Sequence, residues 1–450
     1  MRWLFVVIFA LAMQAGAAHA QSTMLGAPPS AAPVHKVQSV MLPVLDTTPD
    51  FDAARATNAW LAQVGGAARA RSDAYTEGGY WLLLLDFLYG LAVAGVLLWS
   101  GVAAALRDYV QQHTHNAWVQ ALFYGAAYGG IVTAAAFPLS LYQDFMREHD
   151  YGLSNMTFMA WAGEYLIQFA LALVAAAILV PPLYWAIRRT KHWWLWGAAI
   201  VIAFQIVAAV IYPVWIAPLT NHYTPLADGA VKQKILSLAR AHDVPADNVY
   251  VMDASRQSSR ISANVAGFLG TTRIALTDNL LAQTTPDETL AVTGHEMGHY
   301  VMDHTTRLLL MMGLVILAGF AFVWWGFGEA VAHWGARWRV SGPGDLAGLP
   351  LLAALFSIFF FIAAPVTNAI IRSAEAQADI FALDATRKPD AFASAMLKLS
   401  PYRKLDPGGL EEILFYDHPA GRARIAMAMR WKKEHVRDTD IRDSVALNPR

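Results

Sequence analysis

Residues 292–304 read VTGHEMGHYVMDH and set three imidazoles and two carboxylates within ten residues. His295 and His299 are four apart, so on a helix they share one face, one turn above the other. That spacing lets two imidazole nitrogens converge on one zinc ion at ~2.0–2.1 Å. Glu296, beside the first ligand, is then placed to act as general base toward a zinc-activated water. The flanking residues predict the helix. Pro286 falls in its first turn, with Asp287 and Glu288 complementing the dipole. Gly294 and Gly298 each cost ~1 kcal/mol in a helix interior, and their small size would let another backbone pack against the site. H-E-x-x-H also arises by chance, so a third ligand is required. IIRSAEAQADIFALDA supplies Glu375, with Asp379 one turn later on the same face and Arg372 three residues before. Two His and one Glu make a catalytic zinc set with an open fourth position. Asp379 is spaced to orient a ligand imidazole through a hydrogen bond.

The rest of the chain must bring these two distant segments together. It has 450 residues, 56% hydrophobic and only 15% charged, against about 25% charged in soluble proteins. A net charge of −1 argues against a nucleic-acid partner. The absence of cysteine excludes disulfides and thiolate chemistry and leaves any metal to His, Asp and Glu. Residues 1–20 read as a signal peptide ending Ala18-His19-Ala20 or, alternatively, as a first span. Residues 21–79 read as an extracytoplasmic tether followed by an amphipathic helix at the membrane surface. Six apolar stretches can span a bilayer, at about 80–106, 117–142, 158–187, 193–217, 308–334 and 346–371. The first four occupy residues 80–217 and the last two residues 308–371. Between them lies a segment, 218–307, with strands near 248–253, 260–267 and 272–277 ahead of the zinc helix. A tail, 372–450, follows.

Loop charges predict the orientation. The loops at 107–116, 188–192 and 335–345 carry Arg or Lys, whereas 143–157 carries Asp144, Glu148 and Asp150 against Arg147. The basic loops are therefore expected in the cytoplasm, and the 218–307 segment and the tail together on the opposite side. Asp86 and Glu164 are carboxylates inside spans. The former, near a helix end, is read as a structural hydrogen-bonding group or one close enough to the interface to reach water; the latter is left between that role and a cavity wall. His304 is expected to be structural rather than a ligand. In FYDHPAGRAR, the residues alone suggest helix capping at His418 and a solvated face for Arg424, although both could serve an oxyanion or a carboxylate. Asn264, read alone, is a strand or turn residue.

HEMGH, RSAEAQAD, SANVAGFLGTTRIALTDNLL and DHPAGRAR together resemble the type-one CAAX prenyl protease family, integral-membrane zinc endopeptidases of the gluzincin clan. The resemblance covers residues from about 50 to 430. It implies His295, His299 and Glu375 as ligands of one zinc ion per chain, with Glu296 as base. It further implies that Asn264, His418 and Arg424 contact the substrate or transition state. The implied fold is a mainly α, polytopic membrane protein. Six or seven transmembrane helices surround a chamber, and a small α+β protease domain is built from residues 218–307 and the tail. The expected partners are the bilayer and a peptide or protein substrate, lipidated or not. Departures from the family are His418-Pro419-Ala420 in place of His-Pro-Pro, and a charge bias that puts the site outside the cytoplasm. They point to an inner-membrane enzyme with a periplasmic site, and make removal of membrane or exported proteins an alternative to cleavage of prenylated CAAX peptides. A non-catalytic membrane chaperone and a zinc hydrolase of lipids or small amides are the other classes considered. An intact ligand set argues against the first and an edge strand against the second.

Overall fold

The computed structural model describes residues 51–266 and 272–435. The expected signal peptide, the tether up to residue 50 and the Gly267 end of the middle strand lie outside them. Helix α1 (Ala53–Leu61) is N-capped by Asp52, which accepts from the Ala54 amide at 2.9 Å. Among the described residues, six helices are long and apolar enough to cross a membrane. They are α2 (Gly66–Trp99), α4 (Ala117–Ser140, continuing to Asp150), α5 (Phe158–Arg189), α6 (Trp193–Ile211), α10 (His304–Trp338) and α11 (Leu349–Thr386). Between the first two, α3 (Val102–His113) starts after Gly101, whose φ of +77° turns the chain. The first span is thus shifted toward the N-terminus of the expected 80–106 stretch.

The soluble elements are β1 (Tyr223–Pro225), α7 (Ala230–Ala241), β2 (Val249–Met252), β3 (Ala263–Ala266), β4 (Arg273–Thr277), α8 (Asp278–Gln283) and α9 (Pro286–Val301). After α11 come α12 (Pro389–Lys398), α13 (Gly409–Phe415) and α14 (Gly421–His435). The sheet runs β1-β2-β4-β3, with β2 and β4 parallel and both outer pairs antiparallel. β1, three residues ending in a proline, was not anticipated from the sequence. β3 is an edge strand packed beside α9. Ala263, Val265, Ile274, Leu276 and Met297 share one buried core there.

The helix expected at the membrane surface has a different neighbour. Trp60 and Leu61 of α1 are buried with Ile425, Met429 and Trp431 of α14. Protein, not lipid, covers that apolar face.

The bundle has two distinct ends. At one, Arg107 pairs with Asp345 at 2.7 Å and also donates to the Arg339 carbonyl, while Arg188 donates to the Gly344 carbonyl at 3.0 Å. The three basic loops therefore meet. At the other end, Glu148 pairs with Arg260 at 2.7 Å and Glu164 accepts from Gln257 at 2.8 Å. The acidic loop and the intramembrane carboxylate thus hold the soluble segment onto the bundle. Asp86 accepts from Gln143 at 2.9 Å, a structural hydrogen bond.

Candidate active site

Helix α9 is started by a capping box. Thr285 accepts from the Glu288 amide, Glu288 accepts in return from the Thr285 amide, and Pro286 takes the first helical position. Glu288 is also bonded by Ser394 and Lys398 of α12, so the entry to the site helix is tied to the tail. At its other end the chain turns through Asp303 at a φ of 49°, a left-handed conformation that Asp tolerates. The turn swings His304 back until its Nδ1 lies 3.0 Å from Nδ1 of His299. His304 is thus a buried support, as the sequence suggested.

Glu375 reaches α9 because α11 is 38 residues long, about 57 Å at 1.5 Å per residue, nearly twice a bilayer core of ~30 Å. The two helices approach closely. A Cβ on Gly298 would lie 3.1 Å from the Ala378 Cα, and one on Gly294 would lie 2.8 Å from a Thr386 methyl. The two glycines do permit the close approach expected of them.

His295, His299 and Glu375 are all buried, and their ligand atoms cluster. The His295 and His299 Nε2 atoms are 3.2 Å apart. His295 Nε2 lies 3.1 Å from Glu375 Oε2, and His299 Nε2 lies 3.4 Å from Glu375 Oε1. Two ligands at ~2.05 Å in a tetrahedral zinc site are separated by about 3.3 Å, so each of these contacts, with one carboxylate oxygen facing each imidazole, has the length expected between ligands of a shared ion. Neither Glu375 oxygen accepts an aligned hydrogen bond, although both are fully buried. A buried carboxylate in that condition is costly unless a cation completes it. The residues fit a metal.

Around this triangle, Asp379 Oδ1 lies 2.8 Å from His295 Nδ1. Arg424 grips the same carboxylate, its Nε 2.7 Å from Oδ2 and its Nη2 on Oδ1. Arg424 is therefore buried, not on a solvated face, and its charge is committed to Asp379. Burial pulls the His295 imidazole down, but the neighbouring carboxylates of Asp379 and Glu375 outweigh it and push it up to about 10. His418 is not a bystander of helix capping. Its Nε2 lies 3.2 Å from Glu375 Oε2 and its Nδ1 lies 2.7 Å from Asp417 Oδ1. Burial raises the Asp417 carboxyl, yet the His418 charge and hydrogen bond hold it below its ordinary value. Glu296, half-buried, follows His295 on α9. Asn264 is half-buried on β3, opposite Ala275 in register, and alternates with the buried Ala263 and Val265.

Two partners escaped the sequence. Asp417 sits beside His418, where an adjacent acid is too common to be a signal. Arg372 donates to the Glu412 and Tyr416 carbonyls, and Asn368 donates to the Leu414 carbonyl at 2.9 Å, pinning the end of α13 to α11. Arg372 was visible only as a charge three residues before a candidate ligand.

A family model described as peptidase family M48 matches residues 225–432, and one described as CAAX prenyl protease N-terminal, five membrane helices, matches residues 61–222. The chain is 32% identical over 336 residues to the uncharacterized metalloprotease YhfN of Bacillus subtilis, covering 74% of this chain and 79% of that one. The chain belongs to peptidase family M48. This M48 peptidase is 30% identical to the CAAX prenyl protease 1 homolog of Dictyostelium discoideum, over 60% of its own length and 64% of the relative's. It is 32% identical to CAAX prenyl protease 1 of Saccharomyces cerevisiae, over 46% of each chain. Its fold matches the crystal structure of S. mikatae Ste24p with a TM-score of 0.69 at 22% identity, covering 84% of this chain and 94% of that one. It is a multi-pass membrane metallopeptidase with the polytopic helical chamber fold.

Proposed function

We propose that His295, His299 and Glu375 hold one zinc ion per chain and that this centre cleaves peptide bonds within extended segments of membrane or exported proteins. The observation that carries the reading is the cluster of two imidazole nitrogens and two buried carboxylate oxygens, with contacts of 3.1–3.4 Å and no aligned hydrogen bond to either oxygen. Zinc, when bound, supplies Lewis acidity toward water and the scissile carbonyl. The remaining work belongs to the chain. Glu296 takes the proton of the attacking water and passes it to the departing amine. His418, oriented by Asp417, offers a donor to the oxyanion that develops on the carbonyl oxygen. Asp379, held by Arg424, keeps His295 in the tautomer that leaves Nε2 free as a ligand. That makes Arg424 a positioning residue, where the resemblance implied substrate contact. β3 is the free edge to which an extended substrate adds as a further strand, with Asn264 beside its backbone.

The arrangement of loop charges supports an inner-membrane protein with the site in the periplasm. On that side the natural substrates are exported or membrane segments. The names of the yeast and Dictyostelium relatives make a lipidated C-terminal peptide the comparison substrate. The test is metal analysis of the purified protein together with a fluorogenic-peptide assay. One zinc per chain is expected, with activity in the wild type and a loss of at least a thousandfold in Glu296→Gln at unchanged zinc content. Undiminished cleavage by that variant sinks the assignment of the base. Absence of bound metal sinks the site.

A further inference from the structure

We propose that the cavity beside His418 is a substrate subsite that takes a carboxylate, read by Arg403. The proposal rests on the peptidase reading above and adds a specificity to it. The cavity measures about 290 Å³ and abuts the site, since His418 and Arg424 both line it. Small-molecule pockets span ~300–1,000 Å³, so this one suits one or two residues of a bound peptide.

Its basic groups differ in what they already hold. Lys404 is engaged by Glu77 at 2.7 Å and by Glu411 at 3.1 Å. Arg424 is committed to Asp379, and His418 lies between Asp417 and Glu375. Arg403 lines the same cavity, and among the described residues its guanidinium makes neither a hydrogen bond nor an ion pair. Its field reaches Asp417 and Tyr402 without direct pairing. A half-buried guanidinium presents a planar set of donors with carboxylate geometry, and desolvation strengthens what it binds.

The loop that carries Arg403 is fixed before any ligand arrives. The Lys404 amide donates to Thr76 Oγ1 at 2.9 Å, the Tyr416 hydroxyl donates to the Lys404 carbonyl at 3.1 Å, and Ser72 donates to the Ser400 carbonyl. Such pinning lowers the ordering cost of binding. Met396, Leu399 and Leu405 supply apolar walls. The ligand that fits is an apolar stretch of peptide ending in, or bearing, a carboxylate. That group is either the substrate's own C-terminus or an Asp or Glu side chain.

The experiment compares four matched fluorogenic peptides on full-length, zinc-loaded protein in detergent: a free acid and its C-terminal amide, and a pair differing only by Asp for Asn. A preference of roughly tenfold or more in KM for one carboxylate form is expected in the wild type. An acid–amide gap identifies the terminus as the source, and an Asp–Asn gap identifies the side chain. Arg403→Gln should erase that ratio, Arg403→Lys should keep part of it, and Arg403→Glu should invert it. Equal KM values within both pairs overturn the subsite and leave the peptidase standing. If no peptide is cleaved, the peptidase reading fails. Equilibrium binding of the labelled acid and amide, and of the Asp and Asn forms, to Glu296→Gln protein then decides the subsite, and equal affinities within both pairs overturn it.

Discussion

His295 is held from two directions, by Asp379 at Nδ1 and by Glu375 at Nε2. In the ion-free protein this raises its pKa to about 10, so at neutral pH a proton sits where a cation would bind. A raised pKa means that this proton stabilises the ion-free fold fully below pH ~6.5, and that the contribution is lost as pH climbs through 10. Loading the metal must expel that proton. Apparent zinc affinity should accordingly rise about tenfold per pH unit between pH 6 and 9, measured by competition with a chelator of known affinity. A flat profile would show that His295 is not the protonated ligand. Asp379→Asn weakens the acceptor for His295 and strips Arg424 of its buried counter-charge. It should lower zinc affinity by 10- to 100-fold, read by the same competition assay. At this scale the sequence was largely legible, because helical spacing alone fixes which side chains share a face. His418 and Arg424 were the exceptions. Whether an arginine is solvated or buried against an aspartate 45 residues away depends on packing that spacing does not encode.

Helices α9 and α11 work as a pair, and their separation is set where side chains are missing. At Gly298 an added methyl meets the backbone of Ala378, which cannot swing aside. Gly298→Ala should therefore destabilise the protein by about 1–3 kcal/mol despite the helix propensity it gains, and it should lower zinc occupancy. The checks are thermal denaturation and metal analysis. Arg372 makes a different kind of link, from α11 to the carbonyls at the end of α13, just before His418. Arg372→Leu is expected to lower kcat by about tenfold or more while zinc content holds, with partial rescue by Arg372→Lys. Loss of zinc in parallel with activity would instead place Arg372 in support of Glu375. The sequence showed the spans and helix α9 through period and caps. It concealed β1, whose three residues are too few to carry an alternation, and the reach of α2 down to Gly66, where polar residues follow a helical course outside lipid.

Across the whole molecule, the basic loops gather at one end of the bundle and the proposed catalytic residues at the other. Because the chain has no cysteine, the sidedness can be read directly from single introduced thiols. In cells with a permeabilised outer membrane, an impermeant maleimide should label Lys433→Cys and spare Lys191→Cys, both exposed positions. The reverse pattern would turn the site to the cytoplasm. One feature of this architecture also limits how the enzyme can be handled. The carboxylate of the proposed metal site rides on the same rod that crosses the bilayer, about 39 Å from the rod's first residue, while α9, which carries the two imidazoles, ends at Val301, three residues before the helix of another span. No cut in the backbone frees a water-soluble protease from its anchor: any truncation that discards the lipid-facing half also discards the foundation of Glu375. A soluble version of this enzyme would have to be designed afresh.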